Sequence, residues 1–324
     1  MIDSSSPVMS VVLVTPDRYE TIRKTMKHLR AQTIRDRLEI VIVAPSAAEL
    51  DLDKAELEDF LQYRVVEVGP IKSTAEARAA GVRRASAPIV AFTEDHSYPV
   101  PGWAQALVES HCQPWAVVGP VFDNGNPNSM TSWANLLVEY GEWIEPAAAG
   151  IISHLPPHNS SYKRALLLDY GSQLESMMEA ETVLQWDLRA KGHQLYLQPA
   201  AKTYHTNFSS PLASIPLRFH CGRVFGASRA RRWSPFRQML FTAAAPMIPL
   251  VRLWRILRRL RRPGPHRRLL PRILPVLMAA FIVDAAGEMI GYALGTGTAM
   301  RRTSNFEFHR HRYRTRRDQE TQGS

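Results

Sequence analysis

Short, β-branched apolar runs alternate with amphipathic stretches through the first third of the chain. The runs are Val8 to Val14, Leu38 to Val43, Arg64 to Val68 and Pro88 to Thr93. Between them lie polar segments of helical pattern: about Arg18 to Ala31, an acidic one near Lys54 to Leu61, and Ser73 to Ala85. Apolar strands alternating with amphipathic helices predict βαβ units and a mostly parallel sheet. Ligands of such sheets gather at the carboxyl ends of the strands. Glu94-Asp95-His96 directly follows the fourth run and sits at such an end. No internal repeat is present.

Beyond His205 the pattern changes. Met239 to Val251 is apolar and holds Pro246 and Pro249, and nine arginines follow between Arg252 and Arg272. A Pro-Gly-Pro break at 263–265 precedes Ile273 to Ala299, apolar except for Asp284 and Glu288. The first apolar stretch is too short to span a bilayer; the second is long enough. However, a charge at mid-bilayer costs about 2.5–3.5 kcal/mol, and the two acids lie four apart on one helix face. This favours a monotopic helical hairpin over true spanning or a soluble subdomain, with the arginine block on anionic headgroups. The tail from Arg301 reads as basic and disordered. The expected division is 1–212, 213–300 and 301–324.

Charge follows the same division. From Pro211 onward the chain carries 22 Arg, no Lys and five acidic residues, whereas the rest is mildly acidic although the whole is +10. Such an appendage seeks an anionic surface. The Arg, Tyr and Phe tail has a composition compatible with nucleic acid, but no nucleic-acid-binding fold accompanies it. Two cysteines, Cys112 and Cys221, make no disulfide framework and no zinc motif. The seven-residue apolar start is too short for a secretory signal, so a reducing cytosolic setting is expected. With 324 residues and 45% hydrophobic content, a large domain plus an appendage can form.

Four segments in order carry a resemblance. These are SVVLVTPDRYETIRKTMKHLRAQTIRDRLEIVIV, STAEARAAGVRRASAPIVAFTEDHSYPVPGW, HNSSYKRALL and EAETVLQWDLRAKGHQLYLQPAAKTYH, together covering roughly residues 8–208. They resemble a family 2 glycosyltransferase with a GT-A fold, a Rossmann-like sheet flanked by helices that binds nucleotide sugars. The resemblance implies transfer of a sugar from a nucleoside-diphosphate sugar to an acceptor hydroxyl, with Mn²⁺ or Mg²⁺ and inversion at the anomeric carbon. The apolar C-terminal region suggests a lipid-linked or envelope-glycan acceptor and a place on the cytoplasmic face of the membrane.

The resemblance also assigns residues. Glu94, Asp95 and His96 align with the acidic metal motif, usually Asp-x-Asp. Glu94 and His96 are the expected ligands, with Asp95 at the diphosphate and His205 as a further ligand or diphosphate contact. A cation held by such groups stabilises the departing diphosphate, and His is a legitimate Mn²⁺ ligand. Inversion needs a base, commonly a carboxylate. Glu181 aligns with it, with Glu179 as the second choice, although acids in a first helical turn also suit the helix dipole. Arg78 matches a diphosphate-binding arginine, a role its two-pronged guanidinium suits. His158 and Asn159 lie in a turn that could meet either sugar, and Trp103 is expected to pack.

One departure matters. The family's Asp-Asp-Gly-Ser after the second strand is Ala44-Pro45-Ser46-Ala47 here. Base recognition is therefore expected from backbone or from Thr15 and Asp17. The loss motivates a rival reading, a catalytically degenerate membrane-tethered scaffold. A nucleotidyltransferase is disfavoured because Thr15 to Tyr19 holds no glycine to cradle phosphate.

Overall fold

The structure is a computed structural model that describes residues 6–260 and 268–308. The strands are β1 (Met9–Val14), β2 (Leu38–Ala44), β3 (Gln62–Glu67), β4 (Ile89–Thr93), β5 (Ser97–Pro99), β6 (Val117–Asn124), β7 (Gly150–Ile152), β8 (Ser161–Lys163) and β9 (Leu195–His205). They form one sheet in the order β3-β2-β1-β4-β8-β6-β9-β5, with β7 paired to β9. β3, β2, β1 and β4 are parallel, whereas β8 runs antiparallel to both β4 and β6. Every residue of β2 and β4 is buried, as expected for central strands covered on both faces. The four apolar runs of the sequence are these four strands.

Helices fill the gaps differently from one another. Ser73 caps the helix Thr74–Arg84 by accepting from Glu76 N at 3.4 Å. The expected helix near Lys54 to Leu61 is only a 3-10 turn, Lys54–Leu57, capped by Asp53. Its acids favour solvent, and its one buried anchor, Leu57, supports no longer amphipathic face. Trp103 is 1% exposed in the core, a packing anchor.

The chain forms two compact units. The first holds the described residues to Phe122 together with Ala147–Tyr204; the second holds Asp123–Pro146 and the described residues from His205 onward. In the second unit the Pro211–Ala230 and Leu270–Leu294 helices meet backbone to backbone. A Cβ on Gly222 or Gly226 would lie 2.2 or 2.5 Å from the carbonyl oxygens of Asp284 or Glu288. One on Gly287 or Gly291 would lie 2.1 or 2.3 Å from those of Phe219 or Arg223. Two Gly-x-x-x-Gly pairs thus interlock, the arrangement that small residues permit between close helices.

Asp284 and Glu288 are buried on that second helix and share Arg252, whose Nη1 is 2.6 Å from Asp284 Oδ2 and whose Nη2 pairs with Glu288 Oε1. Tyr292 OH donates to Glu288 Oε2 at 2.8 Å. Arg252 was expected on headgroups; it is turned inward because two buried carboxylates need a cation. The tail expected to be disordered begins as helix Ala299–Phe308, and residues 309–324 lie outside the described residues.

Candidate active site

In the first unit, the turn after β4 carries Glu94, Asp95 and His96. It is pinned from below, since Thr25 Oγ1 and Ser97 N both donate to Glu94 O, at 3.0 and 3.1 Å. The Glu94 side chain is mostly buried, and its Oε2 accepts from Asn159 Nδ2 at 2.8 Å. Asn159 reaches it from just before β8, whose Ser161 pairs with Ala91 of β4. The sheet register thus brings together two residues 65 positions apart.

His96 is 2% exposed, and its Nδ1 lies 2.5 Å from Asp95 Oδ1. A carboxylate in that position accepts a hydrogen bond from Nδ1–H and so leaves the lone pair on Nε2. That Nε2 faces Glu94 Oε2 at 3.6 Å. Two electron-pair donors at this separation, one anionic, with the imidazole oriented by a second carboxylate, fit a divalent cation.

Behind this turn lies a buried network. Glu181 opens the helix Glu181–Ala190 and is 1% exposed. Its Oε1 accepts from Arg78 Nη1 at 3.1 Å, from His158 N at 3.0 Å and from His158 Nδ1 at 2.9 Å. Its Oε2 accepts from Tyr162 OH at 3.1 Å. Burial pushes the Glu181 carboxyl up, but the His158 hydrogen bond and charge and the Arg78 charge outweigh it, so its pKa is lowered. Burial and the neighbouring Glu181 raise the Tyr162 hydroxyl, which keeps its proton and donates. Gln185 Nε2 in turn donates to Tyr162 OH at 3.0 Å. Arg78 also contacts His158 and places Nη2 3.6 Å from Glu94 Oε1, joining the network to the metal-motif turn.

His158 is the network's outer member, with a side chain 38% exposed and a backbone φ of 71°. Left-handed backbone is uncommon for a residue with a side chain, though His is enriched among exceptions. Glu179 is half-buried, two residues before Glu181 at the end of the Leu174–Met178 helix. It is not among the residues that bond Glu181.

At the carboxyl end of β1, Thr15 Oγ1 accepts from Asp17 N at 3.2 Å and shares a hydrogen bond with Thr21 Oγ1 at 3.0 Å. Thr15 therefore shapes the turn, whereas Asp17 Oδ2 is buried with no hydrogen-bond partner among the described residues.

His205 ends β9 and belongs to the second unit. Its ring is buried against Tyr140, centroids 4.8 Å apart, and its Nδ1 donates to Asn207 Oδ1 at 2.8 Å. The lone pair therefore lies on Nε2, the same tautomer as His96. Asn207 is itself fixed, its N–H donating to Asn126 Oδ1 at 2.9 Å.

Tyr162, Gln185 and Asn207 join the site without any signal in the sequence pattern. The first lies inside HNSSYKRALL, a segment quoted above, but no spacing distinguishes a tyrosine that orients a carboxylate from one that packs.

Comparison with known proteins agrees with this architecture. Residues 10–171 match the model of the family described as "Glycosyl transferase family 2". Among solved structures, a mannosyltransferase from Pyrobaculum calidifontis in complex with GDP-Man and Mn²⁺ superposes with a TM-score of 0.53 at 16% identity, covering 90% of this chain and 87% of that one. GalNAc-T7 with UDP, GalNAc and Mn²⁺ gives 0.51 at 12% identity, covering 84% of this chain and 55% of that one. At these identities the likeness is one of fold. By sequence, no curated protein matches. The family match spans half of the chain, on a sheet of GT-A type with an acidic and imidazole turn at its centre: the protein belongs to glycosyl transferase family 2 and is a glycosyltransferase.

Proposed function

We propose that the protein moves a sugar from a nucleoside-diphosphate sugar to an acceptor hydroxyl by a single inverting displacement, at the cytoplasmic face of a membrane and with a divalent cation. The observation that carries this reading is the Glu94-Asp95-His96 turn with Asn159 and Arg78 converging on Glu94. Glu94 and His96 hold the cation, Asp95 orients His96, and the resemblance assigns His205 to the same donor set. When bound, Mn²⁺ or Mg²⁺ supplies Lewis-acid stabilisation of the departing diphosphate. Both solved structures reported above contain Mn²⁺ with a nucleotide or nucleotide sugar.

The chain's own groups do the rest. Arg78 offers its guanidinium to a diphosphate oxygen, and Asn159 keeps Glu94 directed at the cation. Asp17, with a buried carboxylate oxygen left over, accepts from an N–H of the base in place of the family's missing aspartate. Glu181 is the base and is already a carboxylate, the protonation state a base needs. Glu181 is 1% exposed, so an acceptor hydroxyl reaches it only where one of the surrounding groups gives way. His158 is the one that yields, being partly exposed while Arg78 and Tyr162 are buried. Glu179 is the alternative base.

The membrane reading rests on the largely exposed helical run Pro235–Arg258, long and apolar enough to cross a bilayer, and on the arginine-rich charge around it. It makes a lipid-linked or envelope-glycan acceptor the natural class, with no nucleic acid involved. The base assignment is tested by transfer assays on Glu181→Gln and Glu179→Gln. The first should lose about 10²–10⁴-fold in kcat with donor binding retained. Near wild-type transfer by Glu181→Gln with loss in Glu179→Gln would move the role to Glu179.

A further inference from the structure

The two long apolar helical runs of the second unit are used differently. Leu270–Leu294 is the more apolar by sequence, yet it is the core element. Ile273, Leu277, Phe281 and Tyr292 are at most 2% exposed, and its glycines lock it against Pro211–Ala230. The Pro235–Arg258 run has the opposite character, with 17% of its apolar stretch buried against 44% for the other.

Its two faces separate at helical period. Ala245, Pro249, Arg252 and Ile256 point inward, where Arg252 neutralises Asp284 and Glu288. Phe236, Leu240, Met247, Leu250 and Trp254 form the outer stripe, each more than half exposed. Spacings of four, seven, three and four place them on one side of a helical run. A contiguous exposed apolar stripe of this length marks an interaction site.

The surroundings of the stripe identify the occupant. Arg237, Arg255 and Arg258 flank it, exposed, and Arg268 and Arg272 follow on the described chain. The Arg258 guanidinium lies 5.4 Å from the Trp254 ring centroid, a pairing suited to the headgroup boundary, where one side is apolar and the other wet. A second copy of this chain would bring the same positive charge to the stripe and repel it; an anionic leaflet complements it.

We propose that Pro235–Leu257 is an in-plane membrane anchor. It seats the Phe236-to-Trp254 stripe in the acyl boundary of an anionic leaflet, while Leu270–Leu294 stays inside the protein. This rests on the membrane reading above and is independent of the donor and metal assignments. It also reverses the ranking that hydropathy gives the two segments.

The test is sedimentation of the full chain with vesicles of phosphatidylcholine alone and of phosphatidylcholine with phosphatidylglycerol. The wild type is compared with Leu240→Glu/Leu250→Glu/Trp254→Glu and with Ile282→Glu, which alters an exposed apolar residue of the other helix. The wild type should bind the anionic vesicles and weaken with salt. The triple variant should partition at least ~10-fold less with an unchanged thermal midpoint, and Ile282→Glu should match the wild type. If the wild type binds and the triple variant binds equally, or Ile282→Glu is the one that fails, the anchor lies elsewhere and this assignment is wrong. If the wild type binds no vesicles, the membrane reading falls with it. A stripe-dependent dimer that ignores vesicles would assign the surface to a second copy.

Discussion

Arg78 donates to Glu181 across 3.1 Å with neither side chain more than 7% exposed, and the same guanidinium reaches Glu94 at 3.6 Å. One cation therefore serves two carboxylates with different proposed tasks, the base and the metal-binding turn. Two fixed prongs are needed, which a lysine cannot provide. Arg78→Lys should lower transfer at least ~100-fold, whereas Arg78→Met, which leaves the buried carboxylates without their cation, should destabilise the fold by roughly 3–5 kcal/mol. Steady-state kinetics on the first and urea denaturation on the second check both. Unchanged kinetics would show that the shared contact is incidental.

His111 gives the fold a built-in acid sensitivity. It is buried, and desolvation, with the Lys163 charge adding to it, lowers its pKa from 6.5 to about 4. A His with a depressed folded pKa contributes its full stability above the unfolded value. The contribution declines as pH falls from 6.5 towards 4, because the unfolded chain binds the proton first. The loss amounts to ~3 kcal/mol over that window. His111→Gln should flatten the dependence between pH 6.5 and 5, measured by urea denaturation. A slope identical to wild type would assign the effect to another group, such as His28, whose pKa burial also lowers.

The interlocked glycines make a sharper demand. Gly287 faces Phe219 O so closely that a Cβ would stand 2.1 Å away. Gly287→Leu should therefore cost at least ~1–3 kcal/mol and lower the thermal midpoint. The exposed Ile282→Ala on the same helix should leave it nearly unchanged. Equal midpoints for Gly287→Leu and wild type would mean the helices are not in backbone contact.

Much of the first unit was legible in the sequence because its evidence is local. The runs at Val8, Leu38 and Pro88 are buried strands, the one at Arg64 is the half-exposed strand beside them, and the stretch from Ser73 is a helix. Glu94 to His96 could be placed because a strand end is a sequence feature. The partners of Glu94 and Glu181 could not, because Asn159, Tyr162 and His158 reach them only through the antiparallel register of β8 with β4. In the second unit, composition was misleading. Hydropathy cannot distinguish an apolar helix that faces its neighbours from one that faces out, and the Gly222, Gly226, Gly287 and Gly291 spacing that decides it was not recognised. Likewise Asp284 and Glu288 read as obstacles to burial until Arg252 is seen between them.

The central claim is a working donor site that depends on the Glu94-Asp95-His96 turn, and a thermal-shift panel tests it most directly. UDP, GDP, dTDP and CDP are each added with and without Mn²⁺ or Mg²⁺ to the wild type, Glu94→Ala and His96→Ala. A ligand of the native state at about 100 times its Kd stabilises by about 2.7 kcal/mol. One nucleotide should therefore raise the wild-type midpoint only when the cation is present, and both variants should lose that shift while remaining folded. No shift with any nucleotide in folded wild-type protein, or an equal shift in the variants, would contradict the assignment and favour a catalytically degenerate scaffold.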